Sequence, residues 1–304
     1  MVLNTRSIPI FIHHEGNSQY LKEVINQAEE YNECVILFGD KSNAYMTEKW
    51  VDVTNFHSNL WDEFMSVYEN MSFYSYDYAV QIFKRFFVFY DYIEESNLDG
   101  FICLDSDVLV FVNFSTLELI KKYKTALCVP YDQSNMRIAA GAGCSYWTKE
   151  SLKSFIDFCI YTYKHDRGWL LEKYQYHIDN NMPGGVCEMN LLYKWYIQHE
   201  DETWNWIKYN ASGVVDQNFG LSENYLQNEY EMDKYNVGKV IKYVSNQPYF
   251  IHQDGHLVPV WAIHFGGGSK MYIRSFRRFK KIIYIIPYIL EIKKIMNRLL
   301  GESK

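Results

Sequence analysis

The 304-residue chain is poor in the residues that break or staple folds. With only 6 prolines and 16 glycines, against 48% hydrophobic and 22% charged residues, it cannot be collagen-like, low-complexity or wholly disordered, and it can bury a substantial core. Its 6 cysteines (34, 103, 128, 144, 159 and 187) form no C-x-x-C pair and no framework spacing. Several stand inside apolar runs, so they read as buried free thiols in a reducing compartment. No run approaches the roughly 18 apolar residues of a membrane span. The early apolar stretch 8–12 is too short for a signal-peptide core. The expected location is the cytoplasm, with peripheral association at the inner face of the membrane as its extension.

Aromatic residues, by contrast, are plentiful: 27 Tyr, 19 Phe and 8 Trp, 18% of the chain. A coding bias accounts for that abundance, which is also compatible with a pocket that stacks bases or sugar rings. Charge is unevenly spread. Residues 270–304 hold ten Lys/Arg against Glu291 and Glu302, a net of +8, which leaves −15 on residues 1–269 of a chain whose total is −7. An acidic body with a basic tail disfavours a nucleic-acid groove and places any contact with an anionic surface at the C-terminus.

Strand and helix signals alternate. Residues 8–13 form a β-like run, 21–28 a helical pattern and 35–38 a second apolar run closed by Gly39-Asp40. This βαβ opening predicts a buried, mainly parallel sheet flanked by helices. A long amphipathic helix over 77–94 contains Lys84 and Arg85. Residues 100–104 read as a central strand, 126–130 as another, Gly141-Ala-Gly143 as a tight turn, and 149–163 and 186–198 as helices. Short β runs at 240–244, 249–252 and 260–264 follow. No repeat or linker divides the chain, so one α/β domain over 1–272 is expected, with a basic amphipathic helical tail over 273–304. That tail lies on an anionic membrane, packs on the body as a C-terminal helix, or pairs with the acidic surface.

Two constellations can carry chemistry. Asp105-Ser106-Asp107 is the only D-x-D in the chain, and an apolar strand delivers it to the carboxyl edge of the sheet, where α/β folds bind ligands. Its hard carboxylate oxygens suit Mg²⁺ or Mn²⁺, which bridges a diphosphate. The second is His264-Phe-Gly-Gly-Gly-Ser-Lys270: a metal ligand at a strand end, backbone that can approach a phosphate closely, then a cation.

Together these motifs resemble the metal-dependent glycosyltransferases of the GT-A (Rossmann-like) fold. The late His-x-x-Gly-x-x-Lys resembles retaining enzymes of the galactosyltransferase/glycogenin type, although Met271-Tyr272 replaces their usual Pro-Trp. Other segments, among them Lys84-Arg85 before the D-x-D strand, Gly184-Gly-Val-Cys-Glu188 and Val215-Asp216-Gln-Asn218, look like bacterial members. The resemblance implies transfer of a sugar from a nucleotide-diphosphate donor, UDP-linked by expectation, to a glycan or lipid-linked saccharide acceptor in bacterial surface polysaccharide synthesis. It implies that Asp107 and His264 ligate Mn²⁺ or Mg²⁺, with Asp105 sharing the metal or holding the ribose. Lys270 and the amide of Gly267 would contact the diphosphate, and Arg85 would reach the donor.

His13 and Asp40, at the ends of the first two strands, are nucleoside candidates or ordinary loop polars. Glu188 follows a glycine turn into a helix, where it can orient sugar hydroxyls or take the acceptor's proton; a first helical turn also favours glutamate without any catalysis. Asp216 is a second candidate for that catalytic task. Two other readings stand beside the transferase. One is a haloacid dehalogenase-type phosphatase, which also follows an apolar strand with D-x-D but typically has Thr or Val where Leu109 stands. The other is a non-catalytic sugar-binding protein on the same fold.

Overall fold

The computed structural model describes residues 7–279, apart from 132, 134, 135, 137 and 211. Strand β1 (Ile10–His14) leads to helix α1 (Leu21–Tyr31), which buries Leu21, Val24, Ile25 and Ala28 at helical spacing. Strand β2 (Val35–Gly39) then returns parallel to β1, with Ile10 opposite Val35, and β3 (Trp50–Asp52) extends that edge. Helices α2 (Asn59–Val67) and α3 (Tyr76–Glu95) are each opened by a serine hydroxyl that accepts a backbone N–H, Ser58 from Trp61 and Ser75 from Tyr78. α3 turns Phe83, Phe86, Phe87 and Phe89 inward and buries Lys84 and Arg85 among them. Buried cations demand partners: Lys84 donates to Val53 O at 2.8 Å and Glu15 Oε1 at 3.3 Å, while Arg85 points to the site described below.

Strand β4 (Gly100–Leu104) lies parallel to β1, and β5 (Val108–Val110) follows after the Asp105–Asp107 turn. Next come β6 (Thr125–Cys128), β7 (Gly141–Thr148), helices α4 (Lys149–His165), α5 (Gly168–Asp179) and α6 (Glu188–Tyr196), and strands β8 (Thr203–Asn205) and β9 (Val214–Val215). Strands β10 (Ile241–Val244), β11 (Gln247–Ile251) and β12 (Leu257–His264) precede helix α7 (Ile273–Phe279). The seven-stranded sheet runs β3-β2-β1-β4-β7-β6-β8. Only the two pairs that β7 makes, with β4 and β6, are antiparallel, so the sheet is mainly parallel. A second sheet, β10-β11-β12-β5 with β9 beside β12, packs on one face. Side chains alternate accordingly: Ile10, Ile12, Ile102 and Leu104 join α1 and the second sheet, while Phe11, Phe101 and Cys103 join α3, α4 and α6. One sheet covered on both faces makes this a single α/β domain.

Residues 141–143 correct the expected tight turn: they begin strand β7, antiparallel to β4. Gly143 serves close approach, because a Cβ there would lie 2.7 Å from Asp105 Oδ2. All six cysteines are free thiols, buried except for half-buried Cys187. Among the described residues no helix is long and apolar enough to cross a membrane. The basic tail lies outside the described residues beyond 279. Its first turn, α7, buries Ile273 and Phe276, and Arg277 binds Glu23 at 2.6 Å and Glu30 at 2.5 Å on α1.

A two-strand clamp fixes the approach to α6. Phe73 N–H donates to Gly184 O at 2.9 Å and Val186 N–H to Met71 O at 2.8 Å. Gly185 sits between them at φ +90°, and a Cβ there would fall 2.5 Å from Met71 O. Gly185→Ala should therefore cost about 2–4 kcal/mol, from left-handed backbone strain together with a clash against main chain. Urea unfolding of wild type and variant measures the difference; a loss under about 0.5 kcal/mol would show that the clamp relaxes freely.

Candidate active site

The site forms where the chain passes from one sheet to the other. β4 ends in the large sheet at Leu104, and β5 begins in the small one at Val108, opposite His264 of β12. The intervening turn presents Asp105 and Asp107 at the carboxyl end of β4, as expected from the apolar run before them. The β5–β12 register brings His264, more than 150 positions away in sequence, against Asp107: Nε2 lies 3.3 Å from Oδ1. Lys270, carried by the short 3₁₀ turn Gly267–Tyr272, places Nζ 3.0 Å from Asp107 Oδ2. Gly267 starts that turn at φ +59°, a conformation that favours glycine.

Arg85 reaches in from α3. Its Nη1 donates to Asp105 Oδ1 at 2.5 Å and its Nη2 to Glu188 Oε1 at 3.3 Å. Burial opposes the guanidinium's charge, but the two carboxylates overcome it and hold Arg85 protonated. Glu188 is the first residue of α6 and is buried. Burial raises its pKa against the pull of Arg85, and its Oε2 has no hydrogen-bond partner. An orphaned buried carboxylate oxygen is costly unless a water or a ligand supplies a donor.

His264 Nδ1–H donates to Gln217 O, 2.8 Å away. A carbonyl only accepts, so the ring carries a proton there and turns Nε2 to Asp107. Burial works against its charge, yet Asp107 pushes it up to about 9. Asp107 titrates below its usual range despite burial, because His264 and Lys270 favour the carboxylate. Asp105, Asp107 and His264 each offer one ligand atom, all within 4.8 Å of one another. Two carboxylate oxygens and one imidazole nitrogen fit a hard or borderline dication such as Mg²⁺ or Mn²⁺.

Asp216 stands behind this group. Its Oδ1 accepts from Lys239 Nζ at 2.7 Å, both side chains fully buried, and its Oδ2 accepts the His264 backbone N–H at 3.2 Å. It props β12 rather than facing open space. Lys239 gave no signal in the sequence, since nothing in its spacing ties it to Asp216. His14, also missed, bridges Ser106 Oγ and Ser18 Oγ, each at 2.9 Å, and thereby ties the D-x-D turn to the loop after β1. Asp40 accepts the Gly16 and Ser42 amides at 2.7 and 2.8 Å and shapes that same loop. His13 lies almost covered, 3.8 Å from Glu15 Oε1 and edge-on to Phe89.

No family profile matches the chain, and no curated protein is similar to it in sequence. Among solved structures, mouse xyloside xylosyltransferase 1 in its apo form overlays with a TM-score of 0.44 at 10% identity, over 65% of this chain and 84% of that one. A glycosyltransferase involved in the glycosylation of the major capsid of PBCV-1 overlays with a TM-score of 0.38 at 10% identity, over 89% of this chain and 98% of that one. Overlays this loose carry no functional assignment, and the chemistry rests on the residues above.

His13 supplies a pH test of the packing. Burial first, then the charges of Arg85 and Lys84, push its pKa from 6.5 down to about 3. Between those values the folded protein binds fewer protons than the unfolded chain. The His13 contribution is therefore complete above pH 6.5 and is lost as pH falls through that window. At pH 5 the loss is about 2 kcal/mol. Denaturant unfolding of wild type and His13→Leu at pH 8 and pH 5 should show wild type losing about that much more; parallel losses would refute it.

Proposed function

We propose that this protein is a glycosyltransferase of the GT-A type, which moves a sugar from a nucleotide-diphosphate donor to a saccharide or lipid-linked saccharide acceptor. The observation that carries this reading is the convergence of Asp105, Asp107, His264 and Lys270 around one turn at the carboxyl edge of the sheet, with Glu188 beyond Arg85, its Oε1 on the guanidinium and its Oε2 without a partner. Asp105, Asp107 and His264 would hold Mn²⁺ or Mg²⁺, which when bound neutralises charge on a diphosphate. Lys270 and the amides of the 266–268 glycines offer positive charge and donors where the leaving diphosphate gathers negative charge. Arg85 keeps Asp105 and Glu188 at a fixed separation. The raised pKa of Glu188 suits a group that orients an acceptor hydroxyl or takes its proton. Asp216, committed to Lys239, suits that role less. The His264–Lys270 segment's likeness to retaining enzymes favours retention of anomeric configuration.

The phosphatase reading needs Asp105 as a free nucleophile. Here one oxygen of Asp105 is held by Arg85 and the other packs against Gly143, which disfavours in-line attack. The sugar-binding reading keeps donor affinity and lacks turnover. Residues 273–279 pack on α1, so we assign membrane-surface association at the cytoplasmic side, in polysaccharide synthesis, to the basic residues after 279 from their charge.

Calorimetric titration with UDP and with GDP, in Mn²⁺ and after chelation, tests the donor site. One nucleotide should bind in a metal-dependent manner, and Asp107→Ala should weaken it at least about tenfold, the loss of about 1.4 kcal/mol. Glu188→Gln should retain that binding while transfer falls about 10²–10⁴-fold. If neither nucleotide binds, or binding ignores both chelation and Asp107, the transferase reading with these donors fails.

A further inference from the structure

The surface beside Glu188 carries an unusual concentration of rings. Phe73, Tyr74, Tyr76 and Tyr78 are 52%, 46%, 53% and 55% exposed, four large aromatic side chains within six residues. Such a patch on a soluble fold marks a contact surface. We propose that this segment is the stacking platform for the acceptor, and that the acceptor it fits is an uncharged pyranose saccharide. This inference rests on the transferase reading of the adjoining site and adds to it the chemistry of the second substrate.

The first support is rigidity. Tyr74 N–H donates to Ser72 Oγ at 3.1 Å, Ser72 N–H to Asn70 Oδ1 at 3.0 Å, and Ser75 caps α3 through Tyr78 N–H. Tyr74 and Tyr78 meet edge-on at 5.1 Å, and Phe73 leans on Tyr174 at 5.9 Å. The rings are thus presented in a set arrangement, at low entropic cost to a ligand.

The second is continuity with the site. The Phe73–Gly184 and Val186–Met71 backbone bonds lock this segment to the strand-like stretch that enters α6 at Glu188. Tyr74 and Tyr78 both feel the Glu188 charge, and Tyr78 also feels Asp105 and Lys270. The segment therefore adjoins the stretch that carries Glu188 into the site.

The third is chemistry. A pyranose offers an apolar C–H face to a ring and hydroxyls at its rim, and tyrosine pairs a flat apolar body with a polar tip. The only charged residues in 68–79 are Glu69, already bound by Arg167, and Asp77. The segment contributes no lysine or arginine, and the cations that reach it, Arg167 on Glu69 and Lys270 on Asp107, are already paired rather than offered to an anionic bilayer.

Saturation-transfer NMR tests the proposal, with methyl glucoside, methyl galactoside, methyl N-acetylglucosaminide, lactose and maltose as probes. At least one should take saturation on its ring C–H protons from the wild-type protein. Tyr74→Ala/Tyr78→Ala should lose at least about four-fifths of that signal, and Tyr74→Phe/Tyr78→Phe, which keeps both rings, should retain most of it. Absence of signal with every probe, an equal signal in the alanine variant, or loss in the phenylalanine variant would each overturn the platform. So would wild-type flotation with phosphatidylcholine–phosphatidylglycerol vesicles that the alanine change abolishes, since the rings would then be a membrane anchor. A UDP titration of the wild-type protein with Mn²⁺ separates the two readings: a ring-dependent saccharide signal without nucleotide binding keeps the platform and removes the transferase.

Discussion

The arrangement turns on one guanidinium. Arg85 lies inside the fold on α3, its side chain 11% exposed, between Asp105 at the end of β4 and Glu188 at the start of α6. Without it two carboxylates from different elements would face one another in a poorly solvated space with no cation between them. Arginine suits the position because its rigid fork can address two acids at once, which a lysine's single point charge cannot. A buried pair of this kind is weak evidence for net stability, since desolvation offsets attraction, but removal of one partner strands the others at high cost. The bridge therefore registers helix against sheet edge more than it stabilises the whole.

A second constraint works with it. The D-x-D turn belongs to neither sheet: its first carboxylate follows a strand of the large sheet and its last precedes a strand of the small one. Relative placement of the two sheets consequently sets the relation of Asp105 to Asp107. The Asp216–Lys239 pair stabilises that placement from behind, since Asp216 also accepts the main chain of His264. Gly143 matters for the same reason. With a side chain at that position, Asp105 would be displaced from Arg85 or β7 from β4.

Much of this is legible in the sequence alone. The βαβ opening, the long helix with Lys84 and Arg85, the strand before Asp105 and the three late strands all announce themselves by apolar period, because each buries a face of one width. Local chemistry also marked Asp107, His264 and Lys270 as partners for one charged ligand. What stayed hidden depends on register. Gly141 and Gly143 look like a turn because glycine is the residue turns most often need; here the same lack of a Cβ serves close packing inside a strand. The Lys239–Asp216 pair and the His14–Ser106 contact join residues 23 and 92 positions apart, with no periodicity to link them. The exposed rings of 73–78 were lost among 54 aromatic residues until burial separated core from surface.

Charge distribution then constrains how an anionic ligand can be recognised. Residues 1–269 carry a formal −15, so the body as a whole repels a nucleoside diphosphate. At physiological ionic strength that repulsion is screened beyond about 8 Å. What remains is decided at contact distance, where Lys270 and Arg85 stand beside Asp107 and Asp105. These cations are already engaged with carboxylates, so they are poised but not free. A bare phosphate would have to compete with Asp107 for Lys270. A ligand that brings its own countercharge to the Asp105–Asp107–His264 group would instead relieve that competition and release Lys270 toward the ligand. Under the proposed transferase reading, a cation–diphosphate pair would therefore suit this group of charges better than either ion alone, and an acidic surface would be no obstacle to a ligand whose charge is largely neutralised before it arrives.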